Sequence, residues 1–168
     1  MVLWVAVLAL CNTAAASAVD SRRFRAWVLE LGAGPGAATK ELGHLATRVT
    51  SLDCDHAFAA KLGARVDGVS VTVVQGDAAT LPLSDGTFSS AIAILMFHHL
   101  RSEQLQDLAF AEIWRVLRPA GVFLALEIPD GWLNRVGHIR STFVPVTPAS
   151  VFARLTPRVA QAPDFRPG

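Results

Sequence analysis

The chain has 168 residues, 52% of them hydrophobic and 17% charged, with a formal net charge of +1. That length suits one domain with a real core, and the composition argues against disorder. Near-neutral charge without a run of Lys or Arg removes the electrostatic case for nucleic acid, and two cysteines, Cys11 and Cys54, give neither a disulfide framework nor a zinc site.

At the start, residues 2–10 are apolar and 11–19 are small and mostly apolar, with Ala16-Ser17-Ala18 passing as a signal-peptidase site. No Lys or Arg precedes that run, whereas Arg22, Arg23 and Arg25 follow it, which favours a cytoplasmic location for what comes next. Three readings stand for residues 1–25: a cleaved signal leading to export, a membrane anchor touching the bilayer through residues 2–19, or a helix packed on the domain. The packing helix or a non-native start carries about half the weight, because the following sequence reads as intracellular.

Val28-Leu29-Glu30-Leu31 is a short apolar strand ending on an acid, and Gly32-Ala33-Gly34-Pro35-Gly36 then breaks it with three glycines at alternate positions. The first turns of a helix follow at Ala37–Leu42. Glycines serve such a loop by adopting backbone angles closed to side chains and by letting a ligand approach the main chain. The free N–H groups at the helix start favour an anion, a phosphate or a carboxylate. Taken alone the loop is a weak signal, equally compatible with a structural turn.

Four further strands follow, at Arg48–Asp53, Val69–Gln75, Ser90–Met96 and Val122–Ile128, with helices over Asp55–Leu62 and from Ser102, its cap, to Pro119-Ala120-Gly121. This alternation predicts an open parallel sheet with helices on both faces, whose ligands bind beyond the carboxyl ends of the strands. Polar residues collect at those ends: Glu30 and the glycines, Asp53, Asp77, then His98 and His99. Each acid alone is more often a cap or loop residue, but together they describe one cleft. Asp53 lies 17 residues after Gly36, a spacing suited to ribose hydroxyls. Asp77 can accept an exocyclic amino proton and so select adenine.

With these residues the chain resembles the class I S-adenosylmethionine-dependent methyltransferases, in their small-molecule, ubiquinone-biosynthesis-like branch. The resemblance rests on Glu30–Gly36, Leu52-Asp53, Gly76–Phe88, Phe97-His98-His99-Leu100 and Glu112–Gly121, in one order and spacing, and covers roughly residues 26–130. It implies an α/β, Rossmann-like, doubly wound and mostly parallel sheet over 26–130, with a substrate-side segment and irregular tail over 131–168. The implied cofactor is S-adenosyl-L-methionine, giving S-adenosyl-L-homocysteine. Gly32, Ala33, Gly34 and Gly36 would hold its methionine part, Glu30 its ammonium group, Asp53 its ribose, and Asp77 with the Ala78 backbone its adenine, with Cys54 a further cofactor-binding candidate. Leu81 and Ile94 are candidates for apolar contacts around the ring, with ordinary core packing the better reading of each.

Methyl transfer needs a base only where the acceptor must lose a proton, and His98 and His99 stand at the right edge for that task. Adjacent side chains point apart, so one of them at most faces the cleft. A structural or substrate-shaping histidine is the stronger expectation. No metal is implied. Trp132 is a candidate wall for the acceptor pocket, whereas Trp114 reads as packing.

Departures from the family are Ser89-Ser90 in place of an acid, which puts local order there in doubt, and Pro119-Ala120-Gly121 in place of Pro-Gly-Gly, a mild change. The family's strands six and seven are missing from the pattern, which leaves the fifth strand as an unpaired edge and favours self-association into a homo-oligomer. The expected partner is a small-molecule methyl acceptor and not nucleic acid. Two rival functions are a non-catalytic cofactor-binding module and a nicotinamide-dependent oxidoreductase. The latter's GxGxxG spacing is not met, since the third glycine comes one position early.

Overall fold

The computed structural model describes residues 4–9, 25–66, 70–127, 144–147, 149–151 and 153–154. In chain order these give β1 (Trp4–Ala9), β2 (Trp27–Leu31), α1 (Thr39–Leu45), β3 (Arg48–Asp53), α2 (His56–Gly63), β4 (Val71–Gln75), β5 (Phe88–Ile94), a 3-10 turn at Phe97–His99, α3 (Glu103–Val116) and β6 (Leu117–Glu127). The strands form one sheet in the order β1-β6-β5-β2-β3-β4. All neighbours pair in parallel except β1, which runs antiparallel to β6.

Strand alternation explains both faces. Leu29 and Leu31 of β2 and Ala91 and Ala93 of β5 point into the larger core, under Phe110, Ile113 and Val116 of α3. Val28 and Ile92 point the other way, with Val49, and pack against Leu42 and Ala46 beside α1. A strand buried on both sides reads as continuously apolar, which is why β5 is legible from sequence alone. Glu30 shares the Val28 face and therefore meets α1. Caps fall where the sequence puts them: the Asp55 side chain accepts from the N–H groups of Ala57 and Phe58, and the Ser102 hydroxyl from that of Leu105.

Chain order runs outward from β2 through β3 to β4, then returns to β5 on the other side of β2. The reversal lies between β2 and β5, and the glycine loop leaves β2 there, at the position where such sheets bind ligands.

Three expectations need correcting. The sheet edge expected to be bare is covered, since all six residues of β1 pair with β6, from Trp4 opposite Glu127 to Ala9 opposite Val122. The same pairing replaces the packing helix over Trp4–Ala9 with a strand. Ser89 does not loosen its surroundings: its hydroxyl accepts from the Trp27 N–H and donates to the Trp27 carbonyl, both at 3.0 Å, stitching the start of β5 to the start of β2. Expectations for Trp132, for a segment at 138–148 and for the tail after 155 fall outside the described residues, except that 144–147 are described.

The helix also ends earlier than expected, at Val116, and β6 runs through Pro119-Ala120-Gly121. Here Ala120 has φ of 62°, in the left-handed region that costs an alanine about 1–2 kcal/mol. The exchange of glycine for alanine thus falls on a position where it matters. Ala120→Gly is expected to raise stability by about 0.5–1 kcal/mol, the strain relieved less the added freedom of the unfolded chain, measured by urea denaturation. A shallow cavity of ≈ 100 Å³ beside it, lined by Ala26, Ser89 and residues 118–121, lies at the amino-terminal edge of the sheet and is too small for a nucleoside.

Candidate functional site

The loop after β2 is held from below. Gly32 and Ala33 N–H groups both donate to the Leu52 carbonyl, at 2.8 and 3.1 Å, and Gly36 N–H donates to Ala33 at 2.9 Å. Gly32, Gly34 and Gly36 all have positive φ. A Cβ at Gly32 would lie 2.4 Å from Met96 Cγ and one at Gly36 2.4 Å from Leu62 Cδ1, so these two glycines pack against protein. At Gly34 a Cβ would meet none of the described residues within 4 Å. Among the described residues Gly34 therefore presents bare main chain, as a cradle for a ligand would.

Each acid has a definite place. Glu30 is buried, and its Oε2 accepts from the hydroxyls of Thr39 and Ser51, both at 2.6 Å. Burial is the main cause raising its carboxyl above the ordinary 4.5; those two hydrogen bonds oppose the rise and the charge of Asp53 adds to it. Asp53 accepts from Gly34 N–H through Oδ2 at 2.7 Å and from Asp55 N–H through Oδ1 at 2.8 Å. It thus fastens the loop as well as ending β3, and each oxygen keeps a further lone pair for a ribose hydroxyl. Asp77 is exposed, with Oδ1 accepting from Ala79 N–H at 2.8 Å.

Cys54, which follows Asp53, lies near three aspartates. The thiol of Cys54 is pushed up chiefly by partial burial and then by the charge of Asp53, with smaller effects of Asp77 and Asp55. Glu30 in turn feels Asp53. Among the described residues no cluster of three or more His, Cys, Asp or Glu could hold a metal ion.

Not every candidate faces the cleft. Ile94 packs with Val28, Val49 and Ile92 in the smaller core, and Ala33 packs with Leu62 and Val66. Ala78 and Leu81 are buried in the main core, though the segment carrying them is the one that follows Asp77. His98 is buried and His99 exposed, yet their side chains do not point apart, since their ring centroids are 4.1 Å from one another.

Two contributions escaped the sequence reading. Glu112 and Arg115 of α3 hold the stretch after Asp77. Leu81 N–H donates to Glu112 at 2.8 Å, and Arg115 donates to the carbonyls of Leu83 and Leu81 and pairs with Glu112 and Asp85. Arg115 holds the Glu112 carboxyl below its usual range. The second is Glu127, fully buried at the end of β6, whose Oε2 lies 2.5 Å from His98 Nδ1. Its signal was available, because it is a fourth acid ending a strand.

Glu30→Gln separates stability from binding. An acid whose folded value is raised adds stability below its unfolded value and loses it as pH rises through the folded one. The glutamine keeps an acceptor for both hydroxyls and has nothing to ionise. Relative to wild type, the variant should be equally stable well below pH 4.5 and more stable at neutral pH, measured by thermal melting without ligand at both.

The arrangement fits S-adenosylmethionine: a bare glycine face beside a buried acid for the amino-acid part, Asp53 for the ribose and Asp77 for the base. Residues 29–125, more than half of the chain, match the family described as "Methyltransferase domain". A Mycolicibacterium smegmatis protein named "Probable S-adenosylmethionine-dependent methyltransferase" is 38% identical over 97 residues, 58% of this chain and 36% of that one. The demethylmenaquinone methyltransferase of Thermobifida fusca is 36% identical over 125 residues, 66% of this chain and 51% of that one. The chain thus spans about half or less of the length of these relatives. The crystal structure of YcgJ from Bacillus subtilis superposes with a TM-score of 0.71 over 80% of this chain and 62% of that one, at 22% identity, which speaks for the fold. The glycine loop, the acids at the strand ends and the matched stretch agree: the chain belongs to the methyltransferase-domain family, whose cofactor is S-adenosylmethionine.

Proposed function

We propose that this protein transfers a methyl group from S-adenosylmethionine to a small, flat acceptor by direct in-line displacement. The observation that supports it is that Glu30 immediately precedes, and Asp53 fastens through Gly34 N–H, a loop whose central glycine, Gly34, has no described residue within 4 Å of its Cβ position. The sulfonium is activated already, so the protein's tasks are to place the nucleophile in line and to exclude water. In this reading Gly32, Ala33, Gly34 and Gly36 with Glu30 take the methionine part, Asp53 and Cys54 the ribose, and Asp77 with Ala78 the adenine; His98 and His99 stand on the acceptor side.

Support for a small acceptor comes from the net charge of +1, which gives nucleic acid no electrostatic footprint, and from the Thermobifida relative named for a quinone precursor. Among the described residues no helix is long and apolar enough to cross a membrane. The test is calorimetric titration with S-adenosylhomocysteine beside a methyl-release assay on quinol, phenol and amine acceptors. Binding with release supports the proposal. Binding without release on any acceptor favours a cofactor-binding module, and tighter binding of NAD than of S-adenosylhomocysteine overturns it.

A further inference from the structure

The stretch that carries Asp77 is pinned at both ends. At its start the Gly76 N–H donates to the Asp53 carbonyl at 3.0 Å. A Cβ on Gly76 would lie 3.0 Å from Pro82 Cδ and 3.1 Å from Leu52 Cδ1, so the Pro82 ring closes over the main chain there. Within the stretch, Asp77 Oδ1 accepts from the Ala79 N–H at 2.8 Å and the Asp77 carbonyl from the Thr80 N–H at 3.1 Å. That turn sets the direction of the carboxyl and leaves Oδ2 to accept elsewhere.

At its far end the grip comes from α3. Glu112 Oε2 accepts from the Leu81 N–H at 2.8 Å, and Arg115 Nη2 donates to the Leu81 carbonyl at 3.1 Å, so this helix holds both main-chain polar groups of Leu81. Arg115 Nη1 donates to the Leu83 carbonyl at 2.8 Å. Nε and Nη2 also donate to the two oxygens of Glu112, at 2.8 and 2.7 Å, and Nη1 to Asp85. All five donors of the guanidinium are thereby used. Hydrogen bonding to Arg115 is the main reason the Glu112 carboxyl lies below its usual range, which keeps it an acceptor at neutral pH.

A half-exposed ion pair adds little to stability, and burying Leu81 in the core does not call for a planar, five-donor fork. Directed bonds from one rigid group do something else: they fix the path of the main chain just beyond Asp77. Such support is what a side chain needs to read the edge of a ligand.

Resting on the reading of Asp77 as the adenine contact, we propose that Glu112 and Arg115 are positioning residues for base selection: they fix the stretch from Asp77 to Leu83 so that the Asp77 carboxylate accepts only from a purine bearing an exocyclic amino group. A purine with a carbonyl in that place turns an acceptor towards the carboxylate. A stretch held at Leu81 and Leu83 cannot retreat from this mismatch, whereas a loose one can.

The test compares S-adenosylhomocysteine with S-inosylhomocysteine, its deaminated analogue, by calorimetry on the full chain. Wild type is expected to prefer the first by about 100-fold. Arg115→Lys keeps the charge but offers a compact ammonium with three donors, so the Leu81 and Leu83 carbonyls are released. Its preference should fall below about 10-fold, mainly through weaker binding of S-adenosylhomocysteine. Glu112→Gln loses the charged, two-pronged pairing with Arg115 and should fall likewise. Ile113→Val trims the core from the same helix, so it should melt lower yet keep the full preference, which separates placement of the loop from plain loss of stability. Full preference in either Arg115→Lys or Glu112→Gln, loss of preference in Ile113→Val, or unfolding of both Arg115→Lys and Glu112→Gln overturns the inference. Equal binding of the two ligands by wild type removes Asp77 from the adenine site, and this inference with it, while the cofactor reading stands. Binding of neither sinks the cofactor reading itself.

Discussion

Asp53→Asn is expected to weaken S-adenosylhomocysteine binding by about 100-fold and to lower stability by about 1–3 kcal/mol, for two separable reasons. The carboxylate holds Gly34 N–H and Asp55 N–H with one oxygen each. An asparagine has one oxygen, so whichever way its amide turns, a nitrogen donor faces one of those N–H groups and leaves it without an acceptor. That is the stability cost, read by denaturation without ligand. The loss of binding follows because both ribose hydroxyls then face a neutral group with half the acceptor capacity, and hydrogen bonds to a charged partner contribute about 1.5–3 kcal/mol each. Calorimetry on Asp53→Asn at a temperature where it is fully folded isolates the second effect. Unchanged affinity there would remove Asp53 from the cofactor site and leave it a loop anchor.

Gly34→Ala and Gly32→Ala should fail in opposite ways, although they alter glycines two residues apart. Both positions have positive φ, at 52° and 67°, so each alanine carries a strain of about 1–2 kcal/mol. At Gly34 the added methyl meets no atom of the described residues within 4 Å. Its cost therefore falls on the ligand: an overlap of about 1–3 kcal/mol in a filled cradle, or roughly 10- to 100-fold in S-adenosylhomocysteine affinity. At Gly32 the methyl would sit 2.4 Å from Met96 Cγ and 2.8 Å from Met96 Cβ. The side chain must move, and with it the backbone that leads to Glu127, so stability without ligand should fall by about 2–4 kcal/mol. Melting curves and titrations on both variants give the contrast, and equal loss of affinity with equal loss of stability would refute it.

Much of this site was legible because it is written in local pattern. An acid followed by glycines at alternate positions needs no tertiary information, nor does a β-branched run closed by Gly76-Asp77, and the topology of a parallel sheet brings such strand ends together. What was missed depends on distant partners. Glu127 ends a strand as Asp53 does, yet its meaning comes from His98 and from two N–H groups about thirty positions earlier. Ala120 looked like a mild exchange because its φ is invisible in sequence. Ser89 replaced a charged residue and was expected to loosen the start of β5, whereas a hydroxyl can both donate and accept and so bridges both polar groups of Trp27. The first apolar run, short and without clear period, is equally a helix or a strand until something is seen to pair with it.

That pairing sets a timetable for the molecule. β1 precedes β6 by more than a hundred residues, and Trp4 pairs opposite Glu127. Synthesis proceeds from the amino end, so an apolar strand leaves the ribosome with more than a hundred residues still to come before its neighbour exists. Among the described strand pairings this one has the longest sequence separation, which makes it a late step in folding. Until then the nascent chain carries an unpaired hydrophobic segment, the kind of stretch that chaperones bind.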